Sequence, residues 1–292
     1  MVLGVCLLAG CSTNESASGS STDSTLSVVT AFYPLEYVAQ RIGGDQVSVT
    51  DLTKPGAEPH DLELAPQDVG ALVDSDLIVY LAGFQPAVDD AVSQQSLGQA
   101  LDVSADADLS LSEASNGESQ TDPHFWLDPM RLADVADAVA ESMSDLDPSS
   151  RSTFEANAVD LRHDLESLDA QYRKTLTSCT HHEIVTSHSA FGYLAAAYGL
   201  DQVGLTGLTP EAEPNPQDLA AVADFVKTHG VQTIYYEPLG SPAVAQALAA
   251  ETGTTTDVLD PIEGLSDQSQ GNDYLAIMKA NLANLKAGLV CQ

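Results

Sequence analysis

Positive charge is what this 292-residue chain has least of: 10 Lys plus Arg stand against 43 Asp plus Glu, a formal net charge of −33. No basic stripe can be assembled from so few cations, which excludes a nucleic-acid partner, and an anionic lipid surface would repel such a body. The excess of carboxylates would raise the local concentration of cations, although an acidic surface by itself is usually only a solubility or salt adaptation. With 43% hydrophobic residues and only 14 Pro, the chain carries enough apolar material for one large domain or two lobes, and global disorder is excluded.

The cationic stretch that normally opens an export signal is also missing. Residues 1–11, MVLGVCLLAGC, form an uncharged apolar run too short to span a bilayer. They end in Leu8-Ala9-Gly10-Cys11, which resembles a bacterial lipobox. Lipid would then sit on Cys11, and an earlier translation start would supply the missing charges. Residues 12–25 are mostly Ser and Thr, as in a flexible tether, so the folded part is expected from Leu26. Of four cysteines, Cys179 and Cys291 remain in the exported domain. A disulfide between them would close a loop of about 110 residues; two free thiols are the alternative, because the sequence carries no Cα–Cα distance.

Short apolar runs alternate with helical patterns. The runs at 26–32, 47–52 and 77–83, with helices through Leu35, Val38 and Ile42 and from Pro66, predict a parallel α/β lobe over 26–146. A second set, with strands at 183–189, 233–238 and 255–261 and a last helix from Tyr274 to Leu289, predicts another over 179–292. Between them Phe154, Ala158, Leu161, Leu165, Leu168, Tyr172 and Leu176 recur at steps of four and three. That spacing predicts one rigid linking helix over 147–178, capped by Asp147 with Pro148 at its first position. The fold class is therefore α/β, two lobes with parallel sheets bridged by a long helix, and a ligand belongs in the cleft between them. The Ser- and acid-rich segment 102–122 fits neither lobe and reads as an exposed mobile loop.

Among seven histidines, His60, His124 and His188 lie where predicted strands end or a helix begins, the edge at which α/β lobes gather ligands. Leu259-Asp260-Pro261-Ile262-Glu263 leaves the last strand carrying two carboxylates. Three imidazoles and one carboxylate make a nitrogen-rich, four-coordinate set that suits Zn²⁺ better than Mn²⁺ or Ca²⁺, and a closed site holds a metal rather than hydrolysing a substrate. Trp126 and Phe191, next to two of these histidines, are expected to form an apolar wall. His163, His181, His182 and His229 read as structural or surface positions, Glu58 as facing solvent, and Glu237 as lining the cleft or capping a helix.

At these residues the chain resembles bacterial solute-binding protein family 9, the zinc and manganese receptors of ABC importers, over residues 26 to 292. The resemblance rests on Pro55-Gly56-Ala57-Glu58-Pro59-His60-Asp61, Asp122-Pro123-His124-Phe125-Trp126-Leu127-Asp128-Pro129, Thr186-Ser187-His188-Ser189-Ala190-Phe191-Gly192-Tyr193 and the 259–263 segment. It implies two lobes bridged by a long helix, a metal in the cleft, and delivery of that metal to a permease powered by an ATPase. The implied ligands are His60, His124 and His188, with Glu263 preferred as the fourth and Asp260 as the alternative. His188 at the third position points to zinc, since manganese members tend to have a carboxylate there. Many zinc members carry a histidine-rich loop before the second ligand; the loop at 102–122 has no histidine. The resemblance implies a non-enzymatic, monomeric lipoprotein on the outer face of the cytoplasmic membrane, in the periplasm if there are two membranes. A manganese receptor, a zinc hydrolase with Glu263 as base, a siderophore binder and an adhesin role remain as alternatives.

Overall fold

The central strands of each lobe are apolar because both of their faces are covered. In the computed structural model, which describes residues 1, 25–94, 99–115, 118–210 and 214–292, β1 (Leu26–Thr30) and β3 (Leu77–Tyr80) are buried almost throughout. The edge strands β2 (Val47–Asp51) and β4 (Gln99–Asp102) are only partly covered, and the four run parallel in the order β2-β1-β3-β4. The lipidation candidate Cys11 and the tether up to residue 24 lie outside the described residues. Helices α1 (Tyr33–Gly43), α2 (Pro66–Asp74) and α3 (Pro86–Gln94) make the crossovers.

The second lobe repeats this plan. Strands β7 (Glu183–Thr186), β8 (Asp201–Gly204), β9 (Thr233–Tyr236) and β10 (Thr255–Val258) lie in the order β10-β9-β7-β8, all parallel. Counted within each lobe, both sheets have the order 2-1-3-4. Helices α6 (Gly192–Tyr198), α7 (Pro216–His229) and α8 (Ala243–Thr252) connect the strands, and α9 (Tyr274–Gly288) follows them. Gly230 ends α7 in the left-handed conformation, φ 69°, which a residue with a Cβ adopts at a cost.

Two consecutive helices follow, one completing the first lobe and the next linking it to the second. The first, α4 (Pro129–Leu146), has Asp128 as its N-cap, accepting from Met130 N at 2.9 Å; the second, α5 (Arg151–Leu176), is 26 residues and about 39 Å long. The long helix thus begins at Arg151 and not at Asp147. Asp147 instead closes α4, its backbone N–H bonded to Met143 O, and its carboxylate accepts from Ser149 N at 3.1 Å. All seven apolar residues of the predicted stripe on α5 are buried. They pack against α1 and α4 of the first lobe and α6 and α9 of the second, so one hydrophobic core runs through both lobes. A smaller cluster around Val185, Val222, Ile234 and Leu248 fills the remaining face of the second sheet. Cys179 and Cys291 are bonded as a disulfide across 112 residues.

The segment 102–122 is not the open loop its composition predicts. Val103 and Ala107 are fully buried, and β5 (Ser112–Ser115) pairs antiparallel with β6 (Glu118–Thr121). The Tyr193 hydroxyl accepts from Ser110 N at 3.0 Å and Leu111 N at 3.2 Å, fastening this part of the first lobe to α6 of the second. Its strands are polar on both faces and carry no apolar period. The Asn116-Gly117 dipeptide between them, a strong hairpin signal, was the clue in the sequence. Among the described residues, no helix is long and apolar enough to cross a membrane.

Candidate metal centre

Every residue of the site sits on a segment leaving the carboxyl end of a strand or opening a helix, the position at which parallel α/β sheets present ligands. His60 lies between β2 and α2. Its loop is anchored by Gln85, 2% exposed, whose Nε2 donates to Pro59 O at 3.2 Å and Thr53 Oγ1 at 3.1 Å, and by Gly56 N, which donates to Leu265 O of the other lobe at 2.8 Å. His124 precedes the 3₁₀ turn Phe125–Leu127 that leads into α4. His188 follows β7, and its carbonyl accepts from Thr186 Oγ1 at 2.7 Å and Gln202 Nε2 at 3.1 Å. Glu263 follows β10.

The tertiary fold brings these four together: one ligand atom from each of His60, His124, His188 and Glu263 lies within 4.8 Å of all the others. Glu263 Oε1 is 2.9 Å from His124 Nε2, 3.2 Å from His188 Nε2 and 3.4 Å from His60 Nε2. His124 is fully buried, and His188 and Glu263 are 1% exposed. Two buried polar atoms in the cluster, His60 Nε2 and Glu263 Oε2, have no hydrogen-bond partner among the described residues. Buried polar atoms are seldom left so, and a cation held between the four groups would satisfy both. Asp260 is buried but stands outside this group: its Oδ1 accepts from Ile262 N at 2.8 Å, and burial pushes its carboxyl up to about 6.

Behind two of the imidazoles stands a second carboxylate. Asp122 Oδ1 is 2.7 Å from His124 Nδ1, and Glu237 Oε2 is 2.8 Å from His188 Nδ1. Each holds the ring proton on Nδ1 and turns Nε2 toward the centre. The sequence alone assigns Asp122 no role and Glu237 two alternative ones; the signal it does carry is a carboxylate two residues before His124. Gly192 makes room for Asp122, since a Cβ there would lie 2.5 Å from Asp122 Oδ2.

Burial would pull the imidazoles down, yet the carboxylates prevail. Hydrogen bonds to Asp122 and Glu263 hold His124 above its ordinary 6.5, and the charges of Glu237 and Glu263 hold His188 well above it. Burial would raise Glu263, but the charge of His188 and hydrogen bonds from the histidines keep it well below 4.5. The charged forms of His124, His188 and Glu263 thus stabilise one another, and a cation entering the centre would compete with the imidazole protons.

The ring edges of Phe84 and Trp126 form the apolar side, with Phe84 4.8 Å from His60 and Trp126 5.3 Å from His124 between ring centroids. Phe84 was not anticipated. Phe191 is buried at the start of α6 and is not among the rings packed on the histidines. Glu58 Oε1 accepts from His60 N at 3.3 Å, and Glu58 and Glu237 both line a cavity of about 360 Å³ beside the site. His229 Nδ1 bonds Phe225 O at 3.0 Å at the end of α7, and His163 is exposed on α5.

Residues 28–288 match the family described as zinc-uptake complex component A, periplasmic. The chain is 35% identical to the high-affinity zinc uptake system protein ZnuA of Bacillus subtilis, over 99% of this chain and 96% of that protein. It is 34% identical to the zinc-binding lipoprotein AdcA of Streptococcus pneumoniae over 96% of its own length, and spans 58% of AdcA. The fold superposes with a TM-score of 0.78 on the Zn(II)-bound ZnuA-like domain of that AdcA, at 34% identity over 91% of this chain and 99% of the domain.

Proposed function

The chain belongs to the zinc-uptake complex component A family, and from that premise we propose that it is the zinc receptor of an ABC importer, a binding protein and not an enzyme. It captures Zn²⁺ outside the cytoplasm and passes it to a membrane permease driven by an ATPase, held at the membrane by lipid on Cys11. The observation that carries the reading is the convergence of three imidazole nitrogens and one carboxylate oxygen within 4.8 Å. That donor set is tetrahedral zinc's own, and with four protein donors no coordination position is left for a reacting water. His60, His124, His188 and Glu263 are the metal donors in this proposal. Asp122 and Glu237 keep the Nδ1 protons while the Nε2 protons leave as the metal enters.

Competitive titration of metal-free protein with Zn²⁺ and Mn²⁺, repeated on His188→Ala, tests it. Zinc should bind more tightly than manganese and lose affinity in the variant. Tighter manganese binding, or indifference to His188→Ala, overturns the zinc assignment.

A further inference from the structure

The fourth donor stands on a backbone that it could not hold by itself. Ile262, immediately before Glu263, has φ 57°, the left-handed region that a β-branched residue rarely enters, and it is fully buried. Such a conformation persists only where the surroundings over-determine it. Here side chains grip the polar backbone groups that lead into it. Asn281 Oδ1 accepts from Asp260 N at 2.9 Å and Asn281 Nδ2 donates to Asp260 O at 2.7 Å. Trp126 Nε1 donates to Pro261 O at 2.8 Å, and Asp260 Oδ1 accepts from Ile262 N at 2.8 Å. Pro261 has no N–H to satisfy.

We propose that Asp260, Asn281 and Trp126 are positioning residues for Glu263: they lock the turn 260–263 so that its carboxylate faces the three imidazoles. The inference rests on the metal-receptor reading above and adds how the fourth donor is set. Trp126 gives the arrangement reach across the cleft. It stands two residues after His124 in the first lobe, grips the carbonyl two residues before Glu263 in the second, and its own carbonyl accepts from Tyr274 Oη at 2.5 Å. The loops carrying His124 and Glu263 are thereby one unit, and the 2.9 Å between His124 Nε2 and Glu263 Oε1 follows from it. Asp260, which as a sequence reads as a rival ligand, acts through the backbone of Ile262.

The test measures the rate of Zn²⁺ loss to a chelator, and the melting temperature, for the full chain and its variants. Trp126→Phe keeps the ring and removes the N–H; Asp260→Ala removes the acceptor for Ile262. Each should weaken zinc retention by roughly 10–100-fold, the usual range for groups that orient a metal ligand. Asp260→Asn, which keeps Oδ1, should restore retention to within about threefold, whereas a ligating Asp260 would not be rescued by an amide. Equal losses in Asp260→Ala and Asp260→Asn overturn the proposal, as does a lowered melting temperature in Trp126→Phe with unchanged zinc loss. If Trp126→Phe does not fold, the Asp260 pair decides alone. Failure of the unsubstituted protein to bind zinc would overturn the receptor reading, whereas zinc binding indifferent to these substitutions overturns only this inference.

Discussion

Asp122 Oδ1 lies 2.7 Å from His124 Nδ1 and also accepts from the backbone N–H of the same residue at 2.9 Å. One carboxylate oxygen thus fixes both the ring and the main chain of a histidine whose other nitrogen faces Glu263. Glu237 does the same for the ring of His188 from the end of a neighbouring strand. Removing either support, in Asp122→Ala or Glu237→Ala, should lower zinc affinity by about 10–100-fold while the far-ultraviolet circular dichroism stays unchanged. Isothermal titration with zinc reads this; full affinity in both variants would show that the rings need no support.

The site's acid–base balance gives metal-free and metal-loaded protein opposite responses to pH. His124 and His188 are held above 6.5 in the folded state, so their contribution is complete below about 6.5 and lost as pH rises through their raised values. Glu263 is held below 4.5, so its contribution is present above about 4.5 and lost as pH falls through its lowered value. Metal-free protein should therefore melt highest between those limits and less high toward alkaline pH. Zinc competes with the same protons, so the rise in melting temperature on adding zinc should grow with pH. Calorimetric scans across this range check it, and a zinc-induced rise that is flat with pH refutes it.

Gly192 is the tightest fit around the site's supports. In Gly192→Ala the new methyl group would displace the Asp122 carboxylate. The expected result is weaker zinc binding, roughly tenfold if Asp122 loses its hold on His124, whereas Asp122→Ala,Gly192→Ala should be no worse than Asp122→Ala alone. A double-mutant cycle measures that coupling.

The disulfide ties the end of α9 to the end of α5 across 112 residues. A loop of that length is worth about 4–5 kcal/mol in the chain-entropy view. Cys179→Ser should lower the denaturant midpoint substantially, with zinc stoichiometry in the folded protein unchanged, because neither sulfur is part of the metal cluster. Guanidinium unfolding with and without reductant follows the effect; equal midpoints would mean that the link adds nothing.

Much of this protein could be read along the chain. The continuous apolar runs of β1, β3, β7 and β9 and the stripe of α5 at steps of four and three are local patterns, and the structure buries them where those patterns place them. Two histidines after strands, His60 and His188, and one that opens a helix, His124, are equally visible. The start of α5 was misread because Asp147-Pro148 has the chemistry of a helix N-terminus, yet Asp147 here completes the preceding helix. The β5–β6 hairpin has no apolar face to signal it, and the Tyr193 hydroxyl that holds Ser110 and Leu111 just before it lies more than 80 residues away.

The sequence by itself determined the donor chemistry: imidazoles and acids in segments that leave strands or open a helix, on a chain too poor in cations for a nucleic-acid partner. Only the tertiary structure decided which carboxylate faces the imidazoles. Asp260 and Glu263 are three residues apart, and the choice turns on one left-handed residue, Ile262, whose preceding backbone is held by Asn281 at Asp260 and Trp126 at Pro261, contacts that span 21 and 135 residues. Periodicity reports which face of an element is buried; it carries no information about a turn whose shape is imposed by side chains arriving from elsewhere in the fold.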